Sequence, residues 1–264
     1  MTDNNGYAGF AAVYDLFTDD EEYDRIAGFI KSAVKQYSLT PQQGQDKLIA
    51  LDLACGTGKL CQRLCAAGFD TMGVDISEEC LEIAIKRAGE SALPIQYLLQ
   101  DIREIDMFGT VDLITCTMDS LDHLPTPEDI HKVIERAAFF AQKGALFIFD
   151  MNTPYKHRSI LADNTFVFED EGLYCVWQNY FDEDSENYAV DILLDIFSEN
   201  KKDGSYSRYS EEFTEIAVDE EIIKNYLASS GFELLSVNDG YSDKAPAPDT
   251  QRIVYTARKL YTQK

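Results

Sequence analysis

One heptapeptide, Asp52-Leu53-Ala54-Cys55-Gly56-Thr57-Gly58, joins the end of an apolar run to the start of a segment with helical periodicity. Gly56 and Gly58 allow a sharp turn and let a ligand approach the backbone, because they have no Cβ atom. Ligands of open α/β sheets bind outside the carboxyl ends of the strands. The sequence therefore predicts a ligand site at this strand-to-helix turn.

Apolar runs and helix-like segments alternate through the first half of the chain. The runs are 48–55, 71–76, 95–101, 111–116 and 145–151. Runs of this kind are expected of strands covered on both faces, as in a parallel sheet. One helix is predicted to follow Ser77, a suitable N-cap, and another to span Pro127 to Lys143, stopped by Gly144. The alternation indicates an α/β fold with right-handed crossover connections.

The pattern changes at about residue 152, where apolar and polar residues begin to alternate. Such alternation predicts antiparallel strands with one face in solvent. Helical periodicity returns at 219–230, and two more strands are predicted after it. We therefore predict a Rossmann-like, mostly parallel seven-stranded sheet with helices on both faces and one reversed strand near the end. The core would comprise 1–151 and 218–264, including an N-terminal helical lid, and 152–217 would be a small antiparallel β insertion acting as a substrate lid.

Charge and cysteine content exclude several classes of function. The formal net charge is −24, and nucleic-acid affinity depends on Lys and Arg, so we expect no nucleic-acid partner. No membrane partner is expected, because no apolar segment approaches the length of a bilayer span. The N-terminal sequence does not resemble a signal peptide, and the six cysteines contain no CxxC pair. A cytoplasmic protein without a metal site is expected, and both a monomer and a homodimer are compatible with the sequence.

Acidic residues stand at the ends of the second and third apolar runs. Asp75 follows Gly58 by 17 residues, and an acid there can accept hydrogen bonds from both hydroxyl groups of a ribose. Asp101 is followed by Ile102, a pair that suits an adenine amino group and an adenine face. These residues predict a nucleoside site at the edge of the sheet.

The glycine turn itself indicates which kind of nucleotide binds. A dinucleotide fingerprint has a third glycine that brings the pyrophosphate to a helix N-terminus, and here Cys61 stands in that position. Asp52 precedes the glycines, and an acid there favours an ammonium group over a pyrophosphate. A nucleoside that carries positive charge fits these residues better than one that carries phosphates.

This set of residues resembles the cofactor-binding set of class I S-adenosylmethionine-dependent methyltransferases, in the same order and at the same strand ends. The stretch 111–124 is similar to the fourth-strand motif of that family, and 10–17 and 20–24 are similar to the lid of its small-molecule members. The resemblance covers nearly the whole chain. It implies S-adenosyl-L-methionine as the cofactor and a small-molecule methyl acceptor. Members that methylate DNA bases often have Asn/Asp-Pro-Pro-Tyr/Phe after the fourth strand, where this chain has Thr-Met-Asp-Ser.

The resemblance also implies roles for individual residues. The glycine turn would lie against the methionine moiety, with Asp52 near its amino group, and Tyr14 would cover the cofactor from the lid. Residues 117–120 would face the sulfonium and the acceptor. The implied cofactor-binding residues are Tyr14, Asp52, Ala54, Gly56, Gly58, Asp75, Ile76, Asp101, Ile102 and Thr117.

Methyl transfer requires alignment above all, and good alignment can contribute about 7–11 kcal/mol. His123 is the candidate base; the alternative is a loop histidine bonded to backbone. Asp119 is a candidate base or partner for a cationic acceptor, and it could instead cap a helix or contact the cofactor amino group. His131 is expected on a helix surface and His157 on the insertion. Two other functions stay open: a nicotinamide-dependent oxidoreductase on a related fold, and a non-catalytic protein that binds S-adenosylmethionine.

Overall fold

The computed structural model describes residues 20–41, 43–170, 172–200 and 203–261. Tyr14 and the first part of the predicted lid lie outside these residues. The helices are α1 (Asp20–Gln36), α2 (Lys59–Ala66), α3 (Glu78–Glu90), α4 (Pro127–Phe140) and α5 (Glu220–Ser229), with a π-helical segment at Lys156–Leu161. Ser77 caps α3 as predicted: its hydroxyl accepts a hydrogen bond from the backbone N–H of Cys80 at 3.2 Å. The predicted end of α4 was wrong, because β5 begins at Ala141 and Gly144 lies within that strand.

The main sheet confirms the predicted fold class. Its strands are β1 (Ile49–Leu53), β2 (Asp70–Asp75), β3 (Gln96–Leu99), β4 (Val111–Cys116), β5 (Ala141–Asn152), β10 (Phe232–Asp239) and β11 (Arg252–Lys259). The spatial order is β10-β11-β5-β4-β1-β2-β3. β11 is antiparallel to both β5 and β10, and the pairs among β1 to β5 are parallel. One reversed strand near the end of the chain therefore completes a mostly parallel sheet.

A second sheet is formed by the residues between β5 and α5. Its antiparallel strands are β6 (Thr165–Asp170), β7 (Leu173–Phe181), β8 (Val190–Glu199) and β9 (Tyr206–Glu215). Alternate residues of β8, including Ile192, Leu194 and Ile196, are buried on one face, as period-two alternation requires. The carboxyl end of β9 returns the chain to the core, where the backbone N–H of Ile216 donates to the carbonyl of Asp122 at 2.8 Å.

The central strands of the main sheet are covered on both faces, which explains why they are rich in apolar residues. All six residues of β4 are buried. Successive side chains of a strand point to opposite faces, so Leu113 packs with α1 and α2 while Ile114 packs with α4 and α5. In the described part of the chain, no helix has both the length and the apolar character needed to cross a bilayer.

We expect Gly58→Ala to lower the free energy of unfolding by about 2 kcal/mol, since a left-handed residue other than glycine is strained and the new methyl would overlap its neighbours. Gly58 has φ +77°, and a Cβ atom would lie 2.9 Å from the Cβ of Ala84. Urea unfolding measures the loss. Gly89→Ala in α3 is the control: its Cβ would meet nothing within 4 Å, so we expect a gain of about 0.5–1 kcal/mol. A Gly58→Ala protein as stable as the parent would contradict this account.

Candidate active site

A cavity of about 320 Å³ opens at the carboxyl ends of the parallel strands. This is the edge at which the sequence predicted a ligand site. The predicted residues on its wall are Ala54, Gly56, Asp75, Ile76, Asp101, Ile102 and His123. The wall also includes Met118 and Ser120, which follow β4, and Arg103, which follows the third strand. The loops after β1 to β4 therefore form one concave site.

Asp75 connects the first two strand ends. Its carboxylate accepts hydrogen bonds from the backbone N–H of Gly56 at 2.7 Å and from that of Ser77 at 2.9 Å. Burial raises the pKa of Asp75, and the backbone donors act in the opposite direction. A carboxylate has about four lone-pair positions, so this one can still accept hydrogen bonds from a ligand in the cavity.

The glycine turn leaves space for a ligand where a side chain would otherwise stand. Gly56 has φ +52°, and a Cβ built on it would meet no atom within 4 Å. Ala54 also has positive φ, at 53°, a conformation that is uncommon outside glycine and often marks a functional turn. The turn therefore presents its backbone to the cavity, as the sequence predicted for Gly56.

Asp101 lies at the far wall and is held by Arg103. The guanidinium Nε lies 3.0 Å from both carboxylate oxygens of Asp101. The hydrogen bonds from Arg103 lower the pKa of Asp101. Asp101 is thus ionised and fixed in orientation next to Ile102, which is buried.

Other predicted cofactor residues do not line the cavity within the described ranges. Asp52 lies beneath the glycine turn, where its carboxylate accepts hydrogen bonds from the Thr115 hydroxyl at 2.6 Å and the Cys61 thiol at 3.4 Å. Burial raises the pKa of Asp52 to about 7. Gly58 packs against α3 through Ala84, and Thr117 is buried with its carbonyl accepting a hydrogen bond from Ser120. Direct cofactor contact by these three residues stays a prediction.

Asp150, which the sequence analysis did not single out, organises the loop after β4. Its buried carboxylate accepts hydrogen bonds from the backbone N–H groups of Met118 at 2.9 Å and Asp119 at 2.7 Å. Both residues are left-handed, with φ of 62° and 53°. Arg252 donates to Asp150 at 2.8 Å, and the Tyr241 hydroxyl also donates to it. This carboxylate therefore fixes the backbone that carries Ser120 and His123.

Asp119 lies behind the cavity wall, in an ion pair. Its carboxylate accepts hydrogen bonds from Arg252 at 2.7 Å and Asn152 at 3.1 Å, and Lys156 Nζ is 3.8 Å away. Burial would raise the pKa of Asp119, but the charges of Arg252 and Lys156 outweigh it and lower that pKa well below its usual value. Asp119 is therefore a fixed negative charge.

Glu215, the last residue of β9, lies between two histidines. Its Oε1 is 3.7 Å from Nε2 of His123, and its Oε2 is 3.8 Å from Nε2 of His157. Asn152 Nδ2 donates to Oε2 at 3.2 Å. Burial raises the pKa of Glu215, and the nearby His123 acts in the opposite direction. The antiparallel sheet thus places a carboxylate directly behind His123.

Comparison with known proteins shows to which family the chain belongs. The residues 50–144 match a family described as "Methyltransferase domain". A protein of Geobacillus sp. (strain WCH70) is 30% identical over 96% of this chain and 99% of its own length. A protein of Bacillus subtilis (strain 168) is 30% identical over 97% of this chain and 98% of its own length. Both bear the name "Putative methyltransferase". A solved S-adenosylmethionine-dependent methyltransferase from Clostridium acetobutylicum ATCC 824 is 31% identical, with a TM-score of 0.84 over 96% of this chain and 98% of that one.

The chain is a class I S-adenosylmethionine-dependent methyltransferase.

Structures of lower identity share the fold of this methyltransferase. One is CalS10 of Micromonospora echinaspora, an amino pentose methyltransferase solved with S-adenosylmethionine bound, at 15% identity and a TM-score of 0.69 over 94% of this chain and 95% of that one. The matches at 30% identity or more confirm the family resemblance drawn from the sequence and S-adenosylmethionine as the cofactor.

Replacing Asp75 by Ala should weaken the binding of S-adenosylhomocysteine to the methyltransferase at least tenfold, because the substitution removes the carboxylate from the cavity wall. Isothermal titration measures the affinity. Asp70→Ala is the matched control, since Asp70 lies at the opposite end of the same strand and is exposed. Unchanged affinity in Asp75→Ala would exclude the proposed ribose contact.

We expect His157 to make the stability of the methyltransferase fall in acid. The side chain is fully buried, and burial lowers its pKa from 6.5 to about 4. The unfolded chain therefore binds the proton more tightly than the folded protein, so stability from this group is complete above pH 6.5 and is lost as pH falls towards 4. The loss is up to about 3 kcal/mol. Urea unfolding at pH 7 and pH 4.5 should show it in the parent and in His131→Gln but not in His157→Gln; equal losses in all three would refute the assignment.

Proposed function

We propose that this methyltransferase acts on a small molecule in the cytoplasm, and that the acceptor binds between the cavity and the antiparallel sheet. The observation that carries the proposal is the shared location of the cofactor-type wall, His123 and Glu215 at one sheet edge. The net charge of −24 disfavours a nucleic-acid substrate. All six cysteines are free thiols, which suits a reducing compartment.

The residues of the cavity fit S-adenosylmethionine. The open space at Gly56 leaves room for a ligand against the turn. Asp75 would hold the ribose hydroxyls, and Ile76, Asp101 and Ile102 would hold the adenine. When bound, S-adenosylmethionine supplies a methyl group on a positively charged sulfur that leaves readily. The protein then has to align the acceptor with that methyl group and exclude water.

His123 and Asp119 have different roles in this proposal. His123 lies on the cavity wall and can accept a proton from an acceptor that must lose one. Asp119 is ionised, is held by Arg252 and Asn152, and is not among the residues described as lining the cavity. We therefore assign proton acceptance to His123 and a fixed electrostatic contribution to Asp119.

The structure gives a reason to prefer this function over a nicotinamide-dependent oxidoreductase. Cys61 occupies the position of the third glycine, and its thiol donates to Asp52 beneath the turn. A buried acid of this kind does not favour a pyrophosphate on the same turn. Binding of the cofactor without catalysis would not require the two histidines that face Glu215.

The proposal predicts that the protein binds both S-adenosylmethionine and S-adenosylhomocysteine, measured by isothermal titration, and does not bind NADH, measured by nicotinamide fluorescence. A screen of small acceptors should then detect production of S-adenosylhomocysteine by the parent protein. His123→Phe should bind S-adenosylhomocysteine within twofold of the parent and lose at least tenfold in turnover. Failure of both adenosyl compounds to bind would overturn the proposal.

A further inference from the structure

We propose that the methyl acceptor is an amine, which the acidic cluster behind His123 attracts as an ammonium ion, and that Glu215 positions His123 to remove its proton. This inference rests on the function proposed above. It assigns a substrate class to the site and a positioning role to Glu215.

The first support is the balance of charge around Glu215. The charged and titratable groups that act on it come from the loop after β4, from the π-helical segment and from β11; they are Asp119, Asp122, His123, Lys156, His157 and Arg252. Asp150, on β5, acts on Asp122. The two cations are engaged elsewhere: Arg252 pairs with Asp119 and Asp150, and Lys156 with Asp119. Within the described residues, the ion-pair contacts of Glu215 are with the two histidines. Within the described residues, Glu215 therefore has no lysine or arginine within ion-pair distance.

The second support is a set of buried polar atoms that lack hydrogen-bond partners. In the described part of the chain these include Oδ1 of Asp122, Nδ1 of His123 and Nε2 of His157. Asp122 and His157 have no exposed surface. Buried polar atoms in folded proteins are normally paired with protein or with a bound molecule. Asp122 and His157 are not among the residues described as lining the cavity, so an ammonium there would be attracted by these unpaired atoms through the wall rather than bonded to them.

The third support is the position of His123 between this cluster and the cavity. His123 lines the cavity, its Nδ1 is buried, and its Nε2 is 3.7 Å from Glu215. The ring packs against Phe213 with a centroid distance of 5.0 Å. Phe213 and Glu215 both belong to β9, so the antiparallel sheet fixes both the plane and the electrostatic environment of the imidazole.

The reaction balances with these groups. An ammonium acceptor gives one proton to His123, and the resulting imidazolium is stabilised by Glu215. The freed lone pair of the acceptor nitrogen forms a C–N bond to the methyl group, while the C–S bond breaks and its electron pair stays on sulfur. The products are a protonated N-methylamine, S-adenosylhomocysteine and the imidazolium, which loses its proton to solvent.

The test needs no knowledge of the acceptor. Sinefungin carries an amine on the carbon that replaces the methylsulfonium group, so its ammonium reports on the acceptor side of the cavity. Isothermal titration at pH 7.0 with sinefungin and S-adenosylhomocysteine gives a ratio of affinities. We expect the parent protein to bind sinefungin at least tenfold more tightly; equal or weaker binding would overturn the amine proposal.

Substitutions then test Glu215 itself. Glu215→Gln should lower the preference for sinefungin at least fivefold and leave the affinity for S-adenosylhomocysteine within twofold. Glu212→Gln, on the exposed side of the same strand, should change neither. An unchanged preference in Glu215→Gln would refute its role. If that variant does not fold, His123→Phe should reduce the preference at least threefold, and a full preference there would refute the arrangement.

Failure of the proposed function can be distinguished from failure of the amine inference. If the parent protein binds neither sinefungin nor S-adenosylhomocysteine, the proposed function fails and the amine inference fails with it. If both bind with equal affinity, the cofactor site stands and only the inference about the acceptor is lost.

Discussion

A single buried carboxylate, that of Asp150, holds together the half of the site that we propose faces the acceptor. It satisfies two adjacent backbone N–H groups in a left-handed turn and at the same time binds Arg252 and Tyr241. Left-handed conformations at residues other than glycine persist only where surrounding contacts impose them. Because Met118 and Asp119 are held in this way, the following residues are directed to the cavity. The ends of β4, β5 and β11 are thereby fixed relative to one another.

The two sides of the site are built by different means. The cofactor side uses backbone donors and local acids. The Asp75 carboxylate accepts hydrogen bonds from a backbone N–H group in the turn after β1 and from another just after its own strand. The acceptor side uses side chains that are far apart in sequence, such as Arg252 on Asp119 and Glu215 beside His123. Backbone donors tolerate sequence change, whereas the side-chain network depends on each partner. The acceptor side can therefore diverge while the cofactor side is kept.

This difference also explains how much of the protein could be predicted from its sequence. Buried strands, the glycine turn and strand-end acids are local patterns, and they gave the order of elements, the fold class and the cavity residues Gly56, Asp75 and Asp101. Asp52 shares the local pattern, but only the packing of Cys61 and Thr115 shows that it lies beneath the turn. Arg252 lies 133 residues from Asp119, and no local pattern links them. The sequence did contain a signal for Asp150, because Asp150 is an acid at the end of an apolar run, as Asp75 and Asp101 are.

Burial of so many carboxylates behind one histidine opposes folding unless the charges are compensated, because isolated buried charges are strongly unfavourable. Arg252 and Lys156 compensate Asp119 and Asp150, and Asp122 avoids the problem since burial raises its pKa well above the usual value. Glu215 has ion-pair contacts with two histidines among the described residues, and the charges of Lys156 and Arg252 act on it from a greater distance. A positive charge in the cavity, such as that of the sulfonium or of the proposed ammonium acceptor, would be attracted by these buried acids.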